Sequence, residues 1–222
     1  VTTTDNDGDS SVTNVTSANI SSSFVFGDDG PQNSATTPTL DNLSLLTGDG
    51  GLTGGNDTAL PASDSDDGID ISALFIAAVN PGADGAATQT AANFQFASST
   101  SGLTKGATTG IDTGLDLASG GGNVYAYLSA DGLTLTGTTS ATSGDGSTVF
   151  TININATTGA VTQTQSAALK HSSAENGSNA TNISGFYSDD RVTLGALNLT
   201  ITGDVTTTDN DGDSSVTNVT SA

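Results

Sequence analysis

Cysteine is missing from this chain of 222 residues, and so are methionine and tryptophan. Without thiols, no disulfide braces the fold and no thiolate serves as nucleophile or metal ligand. Positive charge is nearly as scarce: Lys105, Lys170 and Arg191 stand against 24 acidic residues, for a net charge of −21. A nucleic-acid groove needs clustered cations to meet phosphate, so that class of partner is excluded. An anionic membrane surface would repel the chain. There is no apolar run of membrane-spanning length and no basic-plus-apolar leader at Val1, so neither a bilayer span nor an N-terminal secretory signal is expected. Glutamate is reduced to Glu175, which leaves 24 − 1 = 23 aspartates. Helix surfaces favour Glu, whereas Asp favours turns and supplies short, rigid carboxylates for calcium.

What is present is Thr, Gly, Asn, Asp and Val in alternating patterns. Low aromatic content with high charge is also the mark of disorder, but the alternation argues for a folded β domain. Val149 to Asn155 sets Phe150, Ile152 and Ile154 on one face and Thr151, Asn153 and Asn155 on the other. After the turn Thr157, Thr158, Gly159, the stretch Ala160 to Gln165 returns as the second arm of a hairpin. Val124 to Leu128, Leu133 to Thr136, Asn93 to Phe96 and Leu197 to Ile201 alternate in the same way. Asp70 to Ala78 reads as a short turn of helix or a buried strand, ended by Asn80, Pro81 and Gly82. Many short strands between turns predict an all-β fold, a β-sandwich with long Gly/Asp-rich loops and an extra β-hairpin subdomain. The loop from Thr47 to Gly68 is expected to lie outside the core.

The first eighteen residues, VTTTDNDGDSSVTNVTSA, recur unchanged from Val205 to Ala222, an offset of 205 − 1 = 204. The simplest explanation is a parent with tandem repeats of about this period, this chain covering one repeat and the opening of the next. Three regions follow: 1–23 as the end of a preceding repeat with its calcium loop, 24–204 as the main sandwich, and 205–222 as the closing strand and loop.

The strongest local motif is TDNDGDSS. It places Asp5, Asn6, Asp7 and Asp9 around Gly8, and Asp209, Asn210, Asp211 and Asp213 around Gly212. Alternate oxygen ligands reach one ion, and glycine allows the bend that gathers them. Only the front half of an EF-hand loop is matched, because the twelfth position is Thr16 rather than a bidentate Glu. The loop is therefore expected to share its ion with groups from elsewhere, Asp28 and Asp29 being the natural candidates. Bare carboxylates near 4 Å apart repel by roughly 4 kcal/mol per pair at an effective dielectric of about 20, a cost that Ca2+ removes; a solvated acidic turn without an ion is the alternative. Asp64, Asp66, Asp67 and Asp70 form a second, more loosely spaced cluster. The segment from Gly50 to Leu60 is a partial echo of the glycine-aspartate β-roll repeat, and one copy cannot stack a roll.

Catalytic chemistry has little to work with. His171 is the single imidazole and sits in no nucleophile-elbow motif. Paired Asp residues for glycoside hydrolysis lack an aromatic sugar platform, since Tyr125, Tyr127 and Tyr187 are the only tyrosines. Sequons at Asn14, Asn19, Asn56, Asn155 and Asn198 follow from composition alone. No enzyme is expected.

FVFGDDGP, ISALFIAAVNPGADGA, VFTININATTGAVTQTQSAALKH and the closing VTTTDNDGDSS occur in an order that resembles the extender-type tandem repeats of bacterial repeats-in-toxin (RTX) adhesins, from about Phe24 to Ser215. The resemblance implies a structural repeat of a giant surface adhesin, exported by type I secretion to the bacterial cell surface and serving attachment and biofilm formation. It implies Ca2+ at the junctions between neighbouring repeats of the same polypeptide, held by Asp5, Asp7 and Asp9 or by Asp209, Asp211 and Asp213, with Asp28 and Asp29 across the joint. Asn6 and Asn210 depart from the family pattern. The isolated chain is expected to be monomeric. The rivals are a glycan- or surface-binding module using Thr-rich strands, and a hydrolase using His171 and Glu175.

Overall fold

The computed structural model describes residues 1–12, 30–40, 45, 47, 52, 64–82, 85–171, 182–183, 186–187 and 192–222, with the backbone alone for 64–68, 182–183 and 186–187. In chain order the strands are β1 (Thr2–Thr4), β2 (Ser10–Val12), β3 (Ser34–Ala35) and β4 (Asp64–Asp70), then helix α1 (Ser72–Ala77), then β5 (Val79–Asn80), β6 (Thr88–Ser98), β7 (Ile111–Asp116), β8 (Asn123–Leu128) and β9 (Thr134–Thr138). They continue with β10 (Thr148–Ile154), β11 (Ala160–Gln165), β12 (Asn182–Ile183), β13 (Phe186–Tyr187), β14 (Leu199–Thr208) and β15 (Ser214–Thr220).

Two antiparallel sheets build the body. One has six strands in the order β4-β11-β10-β9-β8-β7, and the other has three in the order β15-β14-β6. One core cluster draws from both, including Phe94, Ile201 and Val205 from the smaller sheet and Val124, Leu135, Phe150 and Val161 from the larger. The chain is therefore all-β and sandwich-like. The expected hairpin is present as β10–β11, with Phe150 opposite Gln165 and Ile154 opposite Val161.

Alternation is cleanest in β14. Ile201, Gly203, Val205 and Thr207 are buried, while Thr202, Asp204, Thr206 and Thr208 between them are half-exposed, as a period of two requires when one face is covered. Opposite Gly203, β6 carries a bulge at Asn93, whose φ is +57°. The irregularity seats the Phe94 ring where a Cβ on Gly203 would stand, 2.7 Å from the ring. Phe94 then meets Phe75 of α1 edge-to-face, with centroids 5.1 Å apart and planes at 90°. The six-residue α1 is too short to stand alone, and it persists because Ile71 and Phe75 are fully buried.

Two expectations are corrected. The stretch from Thr47 to Gly68 is not wholly outside the fold: residues 64–68 lie in β4, which pairs with β11, and Leu52 is buried. Backbone pairing along an open edge outweighs the poor strand propensity of Asp and Gly. Leu197 to Ile201 is not one strand either, because Leu197 ends a short 3₁₀ turn and Asn198 takes the left-handed conformation (φ +41°) before β14 begins. The division at 204/205 falls inside β14, which crosses it without a break.

Candidate metal centre at the hairpin turns

Over the described residues, both copies of the repeated segment fold into the same hairpin. In the first, β1 and β2 pair with Thr3 opposite Ser11; in the second, Thr207 lies opposite Ser215. Both turns close through a backbone bond, Asp5 N–H to the Asp9 carbonyl and Asp209 N–H to the Asp213 carbonyl, each 3.0 Å. Gly8 and Gly212 have φ of +100° and +105°, a region that only glycine enters at low cost.

The leading aspartate organises each turn. Asp209 Oδ1 accepts the N–H groups of Asp211 (3.3 Å), Gly212 (3.0 Å) and Asp213 (2.9 Å). Asp5 Oδ1 likewise accepts from Asp7 (3.3 Å) and Asp9 (3.0 Å). A carboxyl–carboxyl hydrogen bond to Asp211, reinforced by these amides, holds the Asp209 carboxyl below its ordinary value. Asp7 and the same kind of amides do so for Asp5.

This arrangement gathers three carboxylates on each turn. Asp5, Asp7 and Asp9 each offer an oxygen within 4.8 Å of the others, and Asp209, Asp211 and Asp213 do the same. Calcium–oxygen distances are roughly 2.3–2.6 Å, so oxygens separated by up to about twice that can share one ion. Hard, anionic oxygens at this spacing fit a divalent cation, which would replace the carboxyl–carboxyl contact. Asn6 and Asn210 are exposed at the turns, each between two of the carboxylates in sequence.

The copies differ in their surroundings. Asp209 is only 6% exposed, whereas Asp5 and the whole stretch from Val1 to Val12 are exposed. Gly30 packs against the second turn, since a Cβ placed on it would stand 3.5 Å from the Asp213 Cβ. Ala87 N–H bonds the Thr208 carbonyl at 2.8 Å on the other side.

The remaining candidates fare differently. Asp28 and Asp29 lie outside the described residues, although Gly30, the residue after Asp29, is the one against Asp213. Asp64, Asp66 and Asp67 fall in β4, paired with β11, rather than in a free loop. Asp70 is engaged at the start of α1, where its carboxylate accepts the Ser72 N–H at 2.8 Å. The Ser72 hydroxyl and amide lower its proton affinity. His171 is half-buried just beyond β11, and Glu175 lies outside the described residues.

A cleft of about 440 Å³ opens between the sheets beside Phe96, Phe150, Ile152, Leu199 and Ile201. No Asp, Glu, Lys, Arg or His side chain lines it among the described residues, and its polar lining comes from Gln163, Gln165, Thr193 and Thr200. No helix among the described residues is long and apolar enough to cross a membrane.

The fold and the turns together define an all-β domain with carboxylate-rich hairpin turns at two identical segments. The chain belongs to the family described as Domain of unknown function (DUF5801), whose profile matches residues 1–220. No curated protein and no solved structure matches it.

Proposed function

We propose that this chain is a structural, calcium-stabilised extender repeat of a large bacterial surface adhesin, working outside the cell and without catalysis. The observation that carries the reading is the double occurrence of one carboxylate triad, on identical turns, at segments 204 residues apart. Calcium at Asp209, Asp211 and Asp213 would hold the closing hairpin rigid beside Gly30. The triad at Asp5, Asp7 and Asp9 would do the same for the neighbouring repeat. Extracellular calcium supplies the ion, while in a low-calcium cytosol the same carboxylates repel one another and favour a looser chain for type I export. The 23 aspartates and the lack of disulfide chemistry support a metal rather than a covalent staple.

The test is thermal melting in calcium and in chelator. With free calcium about a hundredfold above the dissociation constant, one site adds about 2.7 kcal/mol, so the midpoint should rise by several degrees. Asp211→Ala should remove most of that rise and Asp7→Ala less of it, because the first turn stands open to solvent. Equal midpoints in calcium and chelator for the unaltered chain would refute the reading.

A further inference from the structure

One amino-acid sequence occupies two environments in this molecule. Val205 is 0% exposed and Thr207 is 0% exposed, yet Val1 and Thr3, the same positions of the first copy, are 74% exposed and exposed. The difference lies in what stands beside them. Strand β14 pairs along its free side with β6, Val205 opposite Ala91 and Thr207 opposite Gln89, and the Gln89 Nε2 donates to the Thr207 hydroxyl at 3.2 Å. On the far edge of the hairpin, Asn33 Nδ2 donates to the Thr217 hydroxyl at 3.1 Å. Among the described residues, strand β1 pairs with β2 alone. Position 216, which faces outward in the second copy, is 63% exposed, and its equivalent Val12 is 68% exposed. The contrast is sharpest on the face that carries Val205, Thr207 and Asp209, all three buried, and both hairpins keep the same internal register.

We infer that the β6 edge is a receptor for this hairpin from either copy, so that the N-terminal hairpin of one molecule docks on β6 of a second copy of the domain. The partners named in the slot, Asn33, Gln89 and Ala91, precede residue 98, and every residue of 205–222 has an identical counterpart in 1–18. Pairing continues a backbone ladder and buries Val1 and Thr3, as the second copy does for Val205 and Thr207. In a tandem array each hairpin would close the domain that precedes it, so that a domain ends at the hairpin's last strand rather than at 204/205. The inference concerns pairing and burial, and it stands apart from the calcium reading.

The test mixes two full-length chains, using the absence of native cysteine. The donor carries Thr3→Cys and keeps its own slot filled. The acceptor carries Thr3→Lys, Thr207→Lys and Gln89→Cys, so both of its own hairpins present a charge to the slot. Mild oxidation should link position 3 of the donor to position 89 of the acceptor. It should do so about tenfold or more faster than a donor bearing Thr2→Cys, whose side chain belongs to the opposite face, because disulfide formation tolerates little displacement. No mixed disulfide, or equal rates from positions 2 and 3, would overturn the inference. A second comparison does not depend on how well the acceptor folds alone. Thr207→Lys, which retains one intact hairpin, should melt higher than Thr3→Lys/Thr207→Lys and gain mass with concentration in light scattering. Identical melting for the two, or a mass that stays monomeric, counts against docking between copies. Both experiments are run in calcium and in chelator. Docking in either condition supports the inference, so a chain indifferent to calcium sinks the calcium reading alone.

Discussion

At the scale of the residue, the core depends on aromatic rings seated over glycines. The ring of Phe150 lies across Gly137, its direct cross-strand partner, where an added Cβ would stand 2.2 Å from the ring. Phe94 stands over Gly203 in the same way, and Tyr127 over Gly110, with Cβ clearances of 2.7 and 2.5 Å. A ring on a neighbouring strand fills the space that a glycine leaves. We therefore expect Gly203→Ala to cost about 1–3 kcal/mol through overpacking and Phe94→Ala about 3–5 kcal/mol through the cavity it opens and the lost contact with Phe75. Urea midpoints for the two variants check both figures. If Gly203→Ala leaves the midpoint unmoved, the ring is free to step aside and the packing account fails. The alternation of Phe150 and Ile154 was legible in the sequence because a strand has period two. The ring–glycine pairs were not, because they need the register between strands.

At the scale of the element, the repeated hairpin separates what is local from what is not. Both turns form the same backbone bond, the same positive-φ glycine and the same hydroxyl contact between Thr and Ser, Thr4 with Ser10 at 2.9 Å and Thr208 with Ser214 at 2.8 Å. The turn is thus specified by TDNDGDS itself, whatever surrounds it. A Cβ at Gly8 or Gly212 meets no atom within 4 Å, so alanine there suffers backbone strain alone, about 1–2 kcal/mol. Gly212→Ala should lower the melting midpoint of the domain, since its hairpin is part of the three-stranded sheet. Gly8→Ala should leave that midpoint almost unchanged, since its hairpin is exposed. A matched loss in both variants would mean that the first hairpin supports the body. The motif reading located both turns from Asp, Asn and Gly spacing alone. It also placed Asp70 in a calcium cluster; in the structure that carboxylate accepts the Ser72 N–H at the start of α1, a contact that depends on a helix held by buried Phe75.

At the scale of the whole molecule, hydrogen bonds to a few carboxylates set the response to pH. Asp70, Asp131 and Asp209 all have their proton affinity lowered below the ordinary value of 3.8, for Asp70 and Asp131 chiefly by the hydroxyls of Ser72 and Ser129, and for Asp209 by Asp211 and turn amides. A carboxyl held lower in the folded state contributes stability that is fully present above its unfolded value and is lost as pH falls through its folded value. In chelator the melting midpoint should therefore stay level from pH 7 to about 5 and fall below about pH 4; a steady decline from neutrality would point to other titrating groups. The sequence by itself determined the β class, the position of the β10–β11 hairpin and the geometry of both acidic turns, because strand period and turn chemistry act over a few residues. Tertiary structure alone decided that Val205 is buried while Val1 is exposed, that residues 64–68 join a sheet, and that β14 runs unbroken across the repeat boundary. Each of those outcomes depends on which distant strand lies alongside, and identical residues hold no record of their neighbours.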